Sequence, residues 1–357
     1  MDERWQSSPL KDAIKSTLYS SYRHAFSSNE KQKACKILSK IAVLDASYAQ
    51  TLQLFSEEAR KRSLAEDSSF SGLRIFYEDY FKVGGLAALN EFIPESIDIA
   101  KNFLTFAFCN SFSLPMTPSS PCSSHHEELV ENPCSCSARD ALALISCLLK
   151  NVPQSLSLVD SQLLQSLFDY VNLVFKDADF DVGFDALQVI VVILEIPISF
   201  KELNGFYEAF FHHLVAFIHN CSTSRQIKQL QLLESTVKIV GLLFLKHKDK
   251  MIAYNLADSA LSAFCKISCS QSHVINWEVC IECWIEVMRE STLLKNVPNV
   301  IFCLADEAFK KSLLSNNIGL ELIMKDSDKF KAFLSLNSLL ISEISALFFQ
   351  ETVSYIV

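Results

Sequence analysis

From Ser137 to Arg289 apolar residues recur three and four positions apart, separated by polar ones. Leu163, Leu164, Leu167, Val171, Leu173 and Val174 show the rhythm: at 3.6 residues per turn they fall on one face of a helix. A helix with one apolar stripe must bury it against a neighbour, so the pattern predicts packed helices. The period predicts them over 137–150, 158–176, 183–195, 199–219, 225–246, 249–268, 274–291, 299–313 and 327–349. The first hundred residues predict further helices over 9–25, 28–44, 46–65, 71–82 and 94–108.

Punctuation between these stretches sets how they connect. Pro153, Pro197 and Pro298 fall between predicted helices, where a missing N–H and a fixed φ start a new helix rather than continue the old one. Pairs of helices joined in this way at a spacing of roughly 40 to 47 residues are the signature of HEAT and armadillo repeats. The fold expected is therefore all-α, an α-solenoid of HEAT/armadillo-like helical hairpins. Residues 110–136 break the rhythm with Pro115, Pro118, Pro121 and Pro133 among Ser, Thr and His, and predict a disordered insertion. The organisation expected is helical repeats over 1–109, the insertion over 110–136, and a HEAT-like solenoid over 137–357. The last residues, Phe348 to Val357, remain apolar where a solenoid closes with a polar cap, which predicts a shortened chain or a fragment.

Composition narrows the class. Glycine occurs only 7 times in 357 residues while half the residues are hydrophobic, which is helix-rich usage with few sharp turns. A net charge of -9 argues against a nucleic-acid binder, whose phosphate contacts need clustered Lys and Arg. The apolar runs 187–200 and 237–245 fall short of the roughly 20 residues that a membrane span needs, so no membrane insertion is expected. Met1 to Trp5 carries no secretory pattern, and the 12 cysteines are expected as free thiols on apolar helix faces.

Four constellations contain atoms capable of chemistry. Cys122, His125, His126, Cys134 and Cys136 crowd the insertion with zinc-binding atom types, but not with the paired ligand spacing of a zinc finger. Cys265, Cys269 and His273 lie four apart, and Cys280 and Cys283 three apart, interleaved with Trp277, Ile281, Trp284 and Ile285; the reading is core cysteines. Asp177, Asp179, Asp181 and Asp185 resemble a calcium loop. Val182 stands where the turn needs glycine, and Gln188 where a bidentate carboxylate belongs, which leaves a solvated turn between helices. His212, His213 and His219 share one helix with Phe210, Phe211 and Phe217, and adjacent histidines point to different sides of it. With no glycine-rich phosphate loop, Gly-x-Ser-x-Gly turn or His-Glu-x-x-His helix, neither catalytic nor cofactor-binding nor metal residues are expected.

Four stretches resemble the central repeats of exportins, the nuclear export receptors of the karyopherin-β family. They are Ala143 to Pro153 followed by Leu163 to Phe168; Leu187 to Pro197 followed by Phe206 to Phe217; Leu230 to His247; and Trp277 to Met288, in which Cys280 and Trp284 lie four apart. The stretch around Cys35 is similar to an early exportin helix, with Asp45, Ala46 and Ser47 in place of the usual Asp-Trp-Pro. A Pro- and Ser-rich insertion such as Leu114 to Pro121 stands before these repeats in the family member that carries actin. The resemblance implies a non-enzymatic receptor that shuttles between nucleus and cytoplasm. Its implied partners are Ran-GTP, nucleoporins and a protein cargo, which for the actin-carrying member is actin with profilin. A second expectation from the residues is a helical scaffold for protein–protein interaction without Ran dependence.

Overall fold

The computed structural model describes residues 10–24, 28–45, 48–60, 70–83, 89–109, 133–176, 179–196, 207–271, 274–290, 298–312 and 327–347. Among these residues there are helices and turns and no strand. The protein is all-α. Its chain divides into two compact units, Met1–Leu203 and Asn204–Val357, and in each the helices pack as the stacked hairpins of an α-solenoid.

The first unit contains α1 (Lys11–Arg23), α2 (Ser28–Asp45), α3 (Tyr48–Arg60), α4 (Ser71–Val83), α5 (Ile93–Ala107), α6 (Pro133–Asn151), α7 (Ser161–Val171) and α8 (Phe180–Glu195). From α2 onward each helix packs on the next but one as well as on its sequence neighbour. One row therefore runs α2, α4, α6, α8 and the other α3, α5, α7. Side-chain bonds show that α5 and α7 run parallel: Lys101 of α5 reaches Asp160 at the start of α7, and Thr105, one turn further along α5, reaches Ser166. The core lies between the rows. Helix α8 is apolar on nearly every side, with Val182, Ala186, Leu187 and the whole run Val189 to Leu194 buried, because it is covered by both α6 and α7.

Gly183 makes that crossing possible. A Cβ there would lie 2.5 Å from the Val174 backbone nitrogen, where the short 3-10 segment Asn172–Phe175 passes under α8. Helix α7 starts on a side-chain cap, Asp160 accepting from the Leu163 N–H at 2.9 Å.

The second unit contains α9 (Tyr207–Thr223), α10 (Leu230–Leu245), α11 (Lys248–Ala253), α12 (Ala257–Cys269), α13 (Val274–Glu290), α14 (Pro298–Ser312) and α15 (Ser327–Leu347). Here the rows are α9, α12, α14 and α10, α13, α15. Polar groups buried between them fix the register. Trp277 donates to Asn337 on α15 at 3.0 Å, and Asn337 in turn donates to the Phe333 carbonyl. Trp284 donates to Ser268 and stacks on Phe264 with ring centroids 4.8 Å apart. Asn276 donates both to Gln271 and to the Lys228 carbonyl, tying the turn before α13 to the segment before α10.

Several helices differ from the periodicity. The stretch expected as one helix over 249–268 is two, because α11 ends in a complete Schellman motif: Leu256 N–H bonds the Met251 carbonyl, Asn255 N–H bonds the Ile252 carbonyl, and Asn255 takes the left-handed φ of 54°. The helix expected from 137 begins at Pro133, so Cys134 and Cys136 belong to α6 rather than to the insertion. The residues 110–132 lie outside the described ones. The run expected as a solvated turn around Asp181 and Asp185 is the first two turns of α8.

Candidate functional site

The surface that can act is built from the seams between stacked helices, and charge organises those seams. Each ion pair described between helices has its basic member on the earlier helix and its acidic member on the later one. Along the first row Arg74 of α4 donates to Asp140 of α6 at 2.8 Å, and Arg139 of α6 donates to Asp185 of α8 at 2.7 Å. Along the other row Arg60 of α3 pairs with Glu95 of α5, and Lys101 of α5 with Asp160 at 2.9 Å. Lys31 of α2 reaches the buried Glu58 of α3 at 3.4 Å, and in the second unit Arg289 of α13 meets Glu343 of α15 at 2.7 Å. Helices α3, α5 and α6 are linked on both sides, each with an acidic group toward its predecessor and a basic group toward its successor.

Burial and pairing pull these carboxylates in opposite directions. Burial lifts Asp140 above the ordinary carboxylate range, with the Arg74 guanidinium holding it down in part. Asp185 is likewise raised by burial against the pull of Arg139. At Asp160 burial also pushes upward, but the Lys101 ammonium and the Leu163 N–H outweigh it and the carboxyl ends below its usual value. Lys101 is raised in return by its bond to Asp160.

Two concavities open on the first unit. A polar groove of about 680 Å³ lies between α1 and α3, with Lys15, Tyr19 and Arg23 on one wall and Gln50, Gln53 and Glu57 on the other. Tyr19 shares a 3.0 Å bond with Thr51, and Arg23 lies 3.8 Å from Glu57, so the walls are already joined through their polar groups. A second concavity of about 570 Å³ lies where the start of α5 meets the end of α6, lined by Ile93, Pro94, Val152, Pro153 and Leu158 with Asn151 at its edge.

The candidate residues of the sequence separate in space. Cys122, His125, His126, Asp177 and His273 lie outside the described residues, and Cys136 is half-buried on α6. Asp181 and Asp185 both turn to Arg139, at 3.8 and 2.7 Å, and Asp179 precedes the helix. His212, His213 and His219 are exposed on α9, with His212 3.7 Å from Glu208. Among the described residues no three His, Cys, Asp or Glu side chains converge as metal ligands where they stand.

The buried thiols are poor nucleophiles for a physical reason. Burial pushes Cys35 and Cys221 up to about 12 and Cys147 to about 11, and Cys283 is pushed up as well, so all stay protonated at neutral pH. Cys280 and Cys283 are core residues, and Cys283 points to the Val237 carbonyl on α10. Cys265 and Cys269 instead face each other with their sulfurs 3.9 Å apart, a juxtaposition that the four-residue spacing already permitted. Sequence reasoning did not single out Cys303, which lies on the next helix of the row.

Among the described residues no helix is long and apolar enough to cross a membrane. No family model matches the chain, and no curated protein matches it.

Proposed function

We propose that the chain is a nuclear export receptor of the exportin type, nearest in character to exportin-6, which carries protein cargo out of the nucleus in a Ran-GTP-dependent manner. The cargo proposed is profilin-bound actin, and the receptor would shuttle between nucleus and cytoplasm through contacts with nucleoporins. The observation that carries the reading is the stacking of helical hairpins into two parallel rows in each unit. Each repeat touches only its near neighbours, so small rotations at successive seams add up to a change of curvature. Two ligands that favour the same curvature then bind cooperatively without touching each other. The exportin-like stretches occupy these rows: Trp277 to Met288 forms most of α13, with Trp277 locked to α15 and Trp284 to α12.

The same stack would serve a scaffold that binds proteins without Ran. The seams are held by polar bonds within the array, which favours neither reading, so nucleotide dependence separates them. Nuclear extract passed over the purified chain, with and without Ran locked in its GTP form, gives the test by mass spectrometry. Recovery of actin and profilin only with Ran-GTP is the expected result. Recovery of the same partners irrespective of Ran would replace the receptor with a scaffold, and failure to recover them with Ran-GTP would remove this cargo.

A further inference from the structure

We propose that the outward face of α2 is a docking surface for an acidic segment of a partner protein, one that presents an aliphatic side chain between carboxylates. Helix α2 buries Cys35, Leu38 and Ala42 against its neighbours, and on that side Lys31 lies over the Tyr22 ring of α1 and pairs with Glu58 of α3. At about 100° per residue, the opposite side brings Lys33, Lys36, Ile37 and Lys40 into one arc of about 100°, and all four are exposed. Ile37 is 47% exposed, with Lys33 on the turn before it and Lys40 on the turn after. The three ammonium groups spring from a length of helix of only about 10 Å.

These cations differ from those of the seams, where Arg60, Arg74, Lys101 and Arg139 are each drawn to a carboxylate of the next helix. Among the described residues no carboxylate forms an ion pair with Lys33, Lys36 or Lys40. Glu30 stands one turn before Lys33 at the edge of the arc and does not pair with it. In a chain of net charge -9, three unneutralised cations on one face draw in a negative partner locally. The make-up of the face selects among such partners. A phosphate backbone offers nothing to the isoleucine at its centre, and α2 carries neither an arginine fork nor an aromatic platform for bases. A membrane surface needs a continuous apolar face, and that face of α2 is buried in the core. An aliphatic residue flanked by carboxylates matches both features: it packs on Ile37 while the flexible lysines reach the carboxylates from either side.

The test is fluorescence anisotropy of the full chain with a labelled helical peptide that carries a leucine with glutamates three and four residues to either side. The parent should bind it more tightly than a scrambled peptide of the same composition. Full burial of one aliphatic side chain is worth about 10-fold, so Ile37→Ser should weaken binding by up to that factor. K33E/K40E should weaken it by at least about 10-fold, since each exposed pair contributes up to about 5-fold and reversal adds repulsion. K150E/K176E makes the same change of net charge at two exposed lysines elsewhere in the unit and should stay within about 2-fold of the parent, because salt screens distant charges. All the substituted side chains are exposed, and helical circular dichroism matched to the parent shows that the fold is kept; should K33E/K40E fail this check, Ile37→Ser and the scrambled peptide decide. No preference for the ordered peptide, parent-like binding in K33E/K40E or in Ile37→Ser, or an equal loss in K150E/K176E overturns the surface. Tighter binding of duplex DNA, or of vesicles of phosphatidylserine and phosphatidylcholine, that is lost in K33E/K40E also overturns it and gives the face to that ligand.

Discussion

Asp140 illustrates how a single carboxylate records the conflict at a seam. Burial raises its pKa, and Arg74 offsets part of that from 2.8 Å. A raised folded value means that the native state carries the ionised carboxylate at a cost, which is present above that value and relieved as the pH falls through it. Arg74→Met keeps the apolar stem of the side chain and removes the charge, leaving a largely buried acceptor without its main donor at a cost of about 1 to 3 kcal/mol. The loss should be greatest at about pH 7 and shrink toward pH 5, where Asp140 picks up a proton more readily than in the parent. Removing the carboxylate too, in R74M/D140N, should recover most of it at neutral pH. Chemical denaturation at the two pH values measures this, and a pH-independent loss would show that Asp140 is not the group left stranded. None of this was visible in the sequence, where Arg74 and Asp140 stand 66 residues apart and nothing local joins them.

At the scale of elements, the helices that carried strong periodicity were legible, and their ends were not. Helix α8 was read as starting at 183 rather than at Phe180, and α11 and α12 were read as one helix. The signal that separates them was present in Asn255, a residue type that tolerates left-handed backbone, but asparagine is equally at home on the polar face of a helix. Glycines show the same limit, since two that look alike in sequence have opposite surroundings. At Gly183 a Cβ would strike backbone at 2.5 and 2.9 Å, which cannot yield without moving α8 off the segment beneath it. At Gly241 the nearest atom is the Cys283 sulfur at 3.8 Å. Gly183→Ala should therefore destabilise by about 1 to 3 kcal/mol or more. Gly241→Ala should be neutral or stabilising by up to about 1 kcal/mol, the helix-propensity gain of alanine over glycine. Thermal melts of the two variants side by side check the contrast, and equal effects would refute the close crossing at Gly183. The juxtaposition of Cys265 and Cys269 was legible, because their four-residue spacing on one helix is local.

Across the whole molecule, the solenoid class followed from local periodicity, because a stack of hairpins asks of each sequence stretch only that it bury one stripe against the next. The division at Leu203 did not, because it reflects which helices pack together rather than any change in pattern. It has a consequence for unfolding. Arrays of this kind lose all-or-none cooperativity as they lengthen, and each unit here has its own buried core. Of the 3 tryptophans, Trp277 and Trp284 are buried in the second unit, so tryptophan emission reports chiefly on that unit, while far-ultraviolet circular dichroism weighs every helix. In a Trp5→Phe background, urea unfolding followed by emission and by circular dichroism should give transitions that do not coincide. Superimposable curves for both probes would mean that the two units unfold as one.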